Sequence, residues 1–326
     1  MKKAWALLLK EVDGVEIVSL VDNSIDFLST LKRNDVQNVL SWVRKRKGKD
    51  WFEKNFKYPV AEHGFSALIR VFQDNVKHTI LFDTGISREG VLNNAYGMGL
   101  DLAEIEAVVL SHGHYDHFGG LVSMVNAIGK RNLPVIVHDD MFKVRGVLEG
   151  DGTMRRYPEF PSEEMIRPAK YVKTKEPYAI ADDGILVTGE IPRKTRFEKG
   201  FPKQYFLENG EWKPDPFVWD DRALVMKVKD KGLVIVSGCG HAGIVNTVNY
   251  ARELSGVEKV YAIIGGFHLS GKDYEGIIDN VVAEIRKLNP KLVVPSHCTG
   301  WRGAFKFAQE LPEAFVWNSV GNMYKI

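Results

Sequence analysis

The feature that most constrains the fold is a series of short apolar segments that each run into a glycine, a histidine or a small polar residue. Segments of three to six residues suit strands and are too short for helices. Continuous apolar runs of this kind are typical of strands buried on both faces beneath helices. The predicted strands are 67–72, 78–82, 107–110, 134–137, 185–187, 233–236, 261–264 and 292–294.

Helical patterns lie between several of these strands. Residues 274–288 place their apolar side chains on one stripe at helical spacing, and 243–254 and 119–129 are further predicted helices. Strands that alternate with helices predict an α/β fold. We expect one α/β domain over residues 1–326, because nothing in the chain has the composition of a flexible linker.

Two stretches break the alternation. Residues 31–58 form a basic, helix-like segment, and its run 44–47 is either a solvated face or a flank that attracts an anionic substrate. Residues from about 139 to 221 are rich in Pro, Gly, Lys and aromatic residues and hold one clear strand. Long loop-rich insertions in compact domains are usually functional, so we expect a lid over the site.

Composition excludes several classes of protein. Lys and Arg number 44 against 42 Asp and Glu, which argues against a dedicated nucleic-acid binder. Two cysteines cannot form a disulfide framework, and this suits a reducing compartment. The apolar run 4–9 is too short for a signal-peptide core or a membrane span. We therefore expect a cytoplasmic protein with a small-molecule partner and no membrane segment, while its oligomeric state stays open.

Residues that carry chemistry collect where the predicted strands end. The carboxyl ends of such strands meet at one edge of a sheet, and imidazole and carboxylate are ligands that suit Zn²⁺, Mn²⁺ or Fe. The candidate metal ligands are His112, His114, Asp116, His117, His241 and His297. Six such donors exceed what one tetrahedral ion with an open position can use. They predict two divalent transition-metal ions, zinc first, with manganese or iron as alternatives.

The spacing of His112, His114, Asp116 and His117 resembles the His-x-His-x-Asp-His signature of the metallo-β-lactamase superfamily. The resemblance extends to Asp83-Thr84-Gly85 and to His297, and it covers roughly residues 60–326. It implies a four-layer αβ/βα sandwich with a metal centre at the edge between two sheets. It also implies that the first two histidines hold one ion, and that Asp116 and His117 hold the other.

Further strings resemble the branch of this superfamily that contains archaeal dihydropteroate-synthase-like proteins. These strings are 111–117, 188–193, 237–243, 264–269 and 295–300. Members of the branch are named for methanopterin biosynthesis, in which a pterin is joined to an arylamine ribosyl phosphate. Others are described only as metal-dependent hydrolases. The resemblance therefore implies two reaction classes, hydrolysis and condensation.

The sequence departs from the superfamily pattern at two positions. Glu190 stands where a third histidine is expected, and Cys239 stands where an aspartate usually bridges the ions. His241, two residues after Cys239, is a candidate replacement for the third histidine. His241, Glu190 and Cys239 are thus alternative candidates for the remaining ligand. These departures also leave open a third functional hypothesis, a non-catalytic binding protein with a degraded metal centre.

Other residues have expected roles around the cluster. Asp83 is expected to orient a ligand imidazole, and His268 is a ligand, a substrate contact or a hydrogen-bond partner of a ligand. His63 is expected to be an ordinary surface residue, and Cys298 a small buried side chain. The expected substrate contacts are His138, Arg193 and Thr299.

The leading hypothesis is a metal-dependent hydrolase in which two ions lower the pKa of a bridging water to about 7. Asp116 would hold one ion and orient the resulting hydroxide, which makes it the predicted catalytic residue. The basic segments favour a phosphate-bearing, phosphodiester-type small molecule over a β-lactam.

The alternative is a pterin-condensing transferase whose aromatic residues hold a planar heterocycle, unless these residues form the insertion's own small core. They are Tyr157, Phe160, Phe197, Phe201, Tyr205, Phe217 and Trp219.

Overall fold

The structure is a computed structural model of the chain that describes residues 9–30 and 33–326. The predicted absence of a signal peptide at 4–9 therefore falls almost wholly outside the described residues, as do positions 31 and 32 of the basic segment. The strands are β1 (Glu11–Val12), β2 (Gly14–Val21), β3 (Val36–Gln37), β4 (Ser66–Gln73), β5 (Val76–Phe82), β6 (Ala107–Val109), β7 (Pro134–Val137), β8 (Arg145–Leu148), β9 (Met154–Arg156), β10 (Lys170–Lys173), β11 (Tyr178–Ile180), β12 (Ile185–Val187), β13 (Gln204–Glu208), β14 (Glu211–Pro214), β15 (Ala223–Val228), β16 (Gly232–Ser237), β17 (Val260–Gly266), β18 (Leu292–Ser296) and β19 (Met323–Lys325). The helices are α1 (Val39–Lys47), α2 (Lys49–Asn55), α3 (Gly90–Gly97), α4 (Tyr115–Phe118), α5 (Leu121–Ile128), α6 (Ile244–Ser255), α7 (Ile278–Lys287) and α8 (Gly300–Glu310).

The described strands form three sheets. An eight-stranded sheet has the order β10-β7-β6-β5-β4-β2-β19-β3, and a seven-stranded sheet has the order β11-β12-β15-β16-β17-β18 with β1 beside β15. Strands β5, β6 and β7 run parallel in the first sheet, and β16, β17 and β18 run parallel in the second. A small four-stranded sheet, β14-β13-β8-β9, stands apart from both.

The two large sheets pack face to face, and helices cover their outer faces. Alternation along β16 shows why: Val234 and Val236 belong to the core between the sheets, whereas Leu233 and Ile235 pack against the side chains of α6 and α7. The outer face of the eight-stranded sheet is covered in the same way by α1, α3 and α5. The result is the predicted α/β class with four αβ/βα layers, so the predicted fold is confirmed.

The stretch 139–221 is more regular than its composition indicates. It holds seven strands, β8 to β14, where the sequence showed one clear strand. Strand β10 extends the eight-stranded sheet, and β11 and β12 extend the seven-stranded one. These strands are only three to five residues long. All of them except β11 and the predicted β12 contain charged residues, so they show no continuous apolar run. The Asn209-Gly210 turn between β13 and β14, with both residues at positive φ, was the missed hairpin signal.

A buried arginine ties the two large sheets together beside the site. Arg222, just before β15, donates from its guanidinium to the carbonyls of Leu110 and Ile136, at 3.0 and 3.1 Å. Its backbone N–H donates to the carbonyl of Ser111 at 3.0 Å. The residues that follow β6 are therefore held against the seven-stranded sheet. This contact fixes the edge at which β5, β6, β16, β17 and β18 all end.

No helix among the residues that the structure describes combines the length and the apolar character needed to cross a bilayer.

We expect Trp42→Ala to destabilise the domain. Trp42 in α1 is buried, and its indole N–H donates to the carbonyl of Gly321 at 2.7 Å. Removal of a buried tryptophan costs about 3–5 kcal/mol of unfolding free energy. Urea unfolding measures the loss. The matched control, Trp301→Ala, removes an indole that is 68% exposed and should change stability by less than about 0.5 kcal/mol. Equal losses for the two variants would contradict this.

Candidate metal centre

Three buried imidazoles converge in what we name the first donor group. Nδ1 of His114 lies 2.9 Å from Nε2 of His112 and 3.1 Å from Nε2 of His241. Nitrogen ligands about 2.0–2.1 Å from one tetrahedral zinc ion lie roughly 3.3 Å apart. The spacing of these three nitrogens therefore suits a shared ion.

A carboxylate and two imidazoles form the second donor group. Oδ2 of Asp116 lies 3.2 Å from Nε2 of His297 and 3.9 Å from Nε2 of His117. The same oxygen lies 3.4 Å from Nε2 of His63, an exposed histidine that lines the cleft. One carboxylate oxygen thus faces three imidazoles.

The Cys239 thiol lies between the two groups. Its sulfur and the ligand nitrogens of His112 and His241 all lie within 4.8 Å of one another, and the same holds for its sulfur with His117 and His297. Cys239 follows β16, at the position where the superfamily resemblance leads one to expect a bridging aspartate. The structure therefore places a sulfur where a carboxylate is usual.

Hydrogen bonds set the tautomers of two of the three imidazoles in the first donor group. Nε2 of His114 donates to Oε1 of Gln204 at 2.8 Å, which leaves the Nδ1 lone pair facing the group. The Ser111 hydroxyl donates to Asp83 at 2.7 Å and so accepts from Nδ1 of His112 at 2.9 Å. The Nε2 lone pair of His112 is thereby left free. Orientation by such outer partners is usual for metal-binding histidines.

The second donor group is oriented in the same way. Nδ1 of His117 donates to Oδ2 of Asp83 at 2.7 Å, and Nδ1 of His297 donates to Oδ1 of Asn23 at 3.0 Å. Both Nε2 atoms are buried, and neither has a partner with hydrogen-bond geometry among the described residues. An unpaired buried polar atom costs about 1–3 kcal/mol. A bound cation would satisfy these atoms, so the donor set fits divalent transition-metal ions.

Burial keeps the first donor group neutral. Desolvation lowers the pKa of His112 and of His241 well below the ordinary value, and it lowers that of His114 to about 4. All three imidazoles are therefore unprotonated at pH 7. This is the form that a metal ion requires.

The second donor group is electrostatically coupled. Burial raises the pKa of Asp116, but His117, His297 and His63 outweigh it and hold that pKa well below its usual range. Burial lowers the pKa of His117, whereas the Asp83 and Asp116 carboxylates raise it to about 9. A cation that binds Nε2 of His117 must therefore replace a proton.

Glycines and a buried ion pair shape the loop that carries the signature. A side chain at Gly238 would collide with the Ser111 hydroxyl and the Asp83 carboxylate. The N–H of Gly113 donates to Oδ2 of Asp220 at 2.8 Å, and Asp220 is paired with the buried Arg145 at 2.5 Å. These contacts explain why the loop after β6 can lie so close to the ends of β5 and β16.

Both donor groups open on one cleft of about 340 Å³. Rings of Tyr115, Tyr157, Phe201 and His268 line it. Among the residues described as lining it there is no lysine or arginine. Two other cavities of about 480 Å³ lie elsewhere, so the donor groups rather than cavity size identify the site.

The structure brings most of the predicted site residues to this cleft and its floor. They are Asp83, His112, His114, Asp116, His117, Cys239, His241, His268 and His297.

Four predicted residues lie elsewhere. Glu190 accepts from Nε2 of the buried His138 at 3.1 Å, and neither residue is among those that converge in the donor groups or line the cleft. Arg193 lies over the Trp219 ring and donates to backbone carbonyls, among them that of Val218 at 3.1 Å. The Thr299 hydroxyl accepts from the N–H of Phe267 at 3.0 Å. Internal hydrogen bonds engage His138, Arg193 and Thr299, and none of the three is among the residues that line the cleft, so their contact with substrate stays a prediction.

The basic run in α1 is also remote from the cleft. Arg46 pairs with the buried Glu16 at 2.7 Å, and Arg44 lies over the Phe52 ring. Neither residue lines the cleft. The expectation of an anion-attracting flank from this run gains no support.

Sequence reasoning missed four residues of the site. Asn23, His63, Gln204 and Cys298 all contact it, although His63 and Cys298 were expected to be ordinary. For Asn23 a signal existed, because the apolar end of β2, Leu20-Val21, runs into Asp22-Asn23 as the other site strands run into polar residues. Gln204 begins β13, and nothing in its spacing links it to His114.

Removal of His241 should weaken metal binding, and removal of Glu190 should not. His241→Ala deletes one of three converging nitrogens, so zinc affinity should fall by more than the roughly 10–100-fold typical of outer-partner changes. Glu190→Ala is the control because Glu190 contacts His138 instead. Zinc per chain, measured by mass spectrometry after dialysis, distinguishes them. A normal zinc content in His241→Ala would contradict the assignment of His241 as a ligand in the first donor group.

Asp83→Asn should weaken zinc binding without touching a donor atom, because Asp83 orients His117 directly and His112 through Ser111. An amide facing Nδ1 of His117 favours the tautomer with its proton on Nε2, and we expect a 10–100-fold loss of zinc affinity. Competition against a zinc indicator dye measures it. Asp74→Asn, in the β4–β5 turn, is a matched control that should bind zinc normally.

Comparisons with known proteins agree with this geometry. The sequence profile of the metallo-β-lactamase superfamily matches residues 61–254. The chain is 36% identical over 275 residues to the 7,8-dihydropterin-6-methyl-4-(β-D-ribofuranosyl)-aminobenzene-5′-phosphate synthase of Methanocaldococcus jannaschii, covering 81% of this chain and 90% of that protein. It is 32% identical over 271 residues to an uncharacterized protein of the same organism, covering 82% and 94%.

Among solved structures, the crystal structure of Tm1679, a metal-dependent hydrolase of the β-lactamase superfamily, matches with a TM-score of 0.69 at 26% identity. The match covers 96% of this chain and 98% of that one. The predicted family, fold and enzyme class are confirmed. This chain belongs to the metallo-β-lactamase superfamily, and it is an enzyme of that superfamily's metal-dependent hydrolase fold.

Proposed function

We propose that the chain binds two divalent ions, one at each donor group, with Cys239 between them and zinc as the first candidate. The convergence of six donors in two groups supports this number. Nitrogen-rich sites with a thiol suit zinc. Bound there, the ions would supply Lewis-acid activation of water at neutral pH.

In this proposal Asp116 is the catalytic residue among the chain's own groups. It lines the cleft, and its neighbouring imidazoles keep it ionised. Its Oδ2 therefore presents an acceptor that can orient an attacking water. His63, 3.4 Å away, holds the same oxygen from the solvent side.

The substrate we propose is a small phosphate-bearing molecule with a planar ring. Tyr115, Tyr157 and Phe201 give the cleft aromatic walls on which a ring can stack. Gly300 at the N-terminus of α8 lines the same cleft, and helix N-termini favour anions. Arg155, whose guanidinium lies 5.4 Å from the Tyr157 ring centre, is paired with Glu149 at 2.5 Å, so its charge is partly neutralised. The proposed reaction is hydrolysis of a phosphodiester-type bond.

Condensation of a pterin is the second candidate. It rests on the 36% identical Methanocaldococcus jannaschii synthase, whose name contains a dihydropterin and a 5′-phosphate. Two of the seven insertion aromatics, Tyr157 and Phe201, do line the cleft, whereas Phe160 packs against Phe118 and Phe142. The small four-stranded sheet carries Gln204 next to His114. We propose that this part of stretch 139–221 acts as the lid.

A chromogenic phosphodiester assay tests the first proposal. The zinc- or manganese-loaded chain should hydrolyse the ester, and Asp116→Ala should lower the rate by about 100-fold or more. Tyr157→Ala should raise KM by about 5–10-fold through lost stacking, whereas Tyr157→Phe should change it little.

The same preparations separate the two candidates. An inert loaded enzyme that consumes a dihydropterin and an arylamine ribosyl phosphate together would favour condensation. An inert enzyme whose fluorescence also does not respond to pterins would defeat both.

A further inference from the structure

The chain's two cysteines meet at the floor of the cleft. Sγ of Cys239 lies 3.1 Å from Sγ of Cys298, although 59 positions separate them. No other cysteine occurs in the chain. The Cys298 thiol also donates to the backbone carbonyl of Cys239 at 3.1 Å, and Nδ1 of His268 lies 3.3 Å from the Cys239 sulfur.

The sheet topology explains how these sulfurs reach each other. Cys239 follows β16 and Cys298 follows β18, and β17 runs between these two strands. Neighbouring strands are about 4.8 Å apart, so the outer two are separated by roughly 10 Å. Strand β17 ends in Gly265-Gly266, and a Cβ at Gly266 would lie 2.8 Å from the Cys298 sulfur. The missing side chain leaves the space in which the thiols meet.

From this geometry we propose that Cys239 and Cys298 form a reversible intramolecular disulfide, and that this bond competes with metal binding. A disulfide needs sulfurs about 2.05 Å apart, so the two sulfurs must approach by roughly 1 Å. Cys239 is also the sulfur next to both donor groups. A sulfur bonded to Cys298 is no longer a thiolate donor.

The reaction balances with a peroxide or an azo compound as the oxidant. Both S–H bonds break, one S–S bond forms, and the two thiols lose two electrons and two protons in total. Hydrogen peroxide takes these up to give two water molecules, and diamide takes them up to become a hydrazine. A dithiol such as dithiothreitol reverses the reaction by thiol–disulfide exchange.

The test begins with the metal-stripped full chain and diamide. We expect the free thiols, titrated after denaturation, to fall from two to none per chain. The intact mass should fall by about 2 Da, and one cross-linked peptide pair should join positions 239 and 298. Two surviving thiols, separately oxidised cysteines or a disulfide between chains would each overturn the proposal.

Zinc tests the competition. Chain loaded with Zn²⁺ before diamide should keep both thiols at least tenfold longer, and oxidised chain should take up less zinc until dithiothreitol is added. Equal oxidation rates with and without zinc would refute the competition. These readouts do not use enzymatic turnover, so a failed substrate proposal leaves them unaffected.

Cys298→Ser provides the matched control. It keeps the Cys239 sulfur but lacks its partner, so diamide treatment followed by dialysis should leave its zinc uptake unchanged. An equal loss of zinc uptake in this variant would show that the internal disulfide is not the cause. If the variant does not fold, peptide mapping of the unaltered chain still shows whether the disulfide between Cys239 and Cys298 forms.

Discussion

The centre depends on one buried carboxylate. Asp83, at the end of β5, accepts from the backbone N–H and the hydroxyl of Ser111 and from Nδ1 of His117, each at 2.7 Å. Through Ser111 it also fixes the proton of His112. A single side chain therefore sets the tautomers of one histidine in each donor group. Because Asp83 is fully buried, the packing of both large sheets serves to keep water from this network.

Patterns that depend on neighbouring residues were readable from the sequence. The short apolar strands and the spacing of the signature depend only on local order, and they predicted the α/β class and most of the candidate donors, whereas the four layers were implied by the family resemblance. Glu190 shows where local order fails. Glu190 follows β12, and β15 lies between β12 and β16 in the sheet. The ends of β12 and β16 are therefore roughly 10 Å apart, which separates Glu190 from the loop that carries His241. Register and strand order decide between such candidates, and neither can be read from spacing. The contact of Gln204 with His114 has the same origin, because it joins β13 to a loop 90 positions earlier.

A thiol at the position between the donor groups changes the chemistry available there. A carboxylate cannot be oxidised under mild conditions, whereas a thiol can form a disulfide or bind a soft metal ion. The glycines at the end of β17 leave room for Cys298 beside Cys239, so a disulfide is possible on geometric as well as chemical grounds. The composition argument from two cysteines excluded a disulfide framework, and it could not exclude a single pair at a functional site.

The charge distribution places a constraint on recognition. Several arginines are used inside the fold: Arg46, from the basic run 44–47, and Arg70 neutralise the buried Glu16, and Arg145 pairs with Asp220. The lining of the cleft has rings, histidines and Asp116, but no lysine or arginine among its described residues. An anionic group that enters the cleft would be held by cations bound at the donor groups or by the N-terminus of α8. Binding of an anionic substrate is thus linked to metal occupancy. Without metal, the affinity of the cleft for a ligand should depend on the ligand's ring and little on its phosphate.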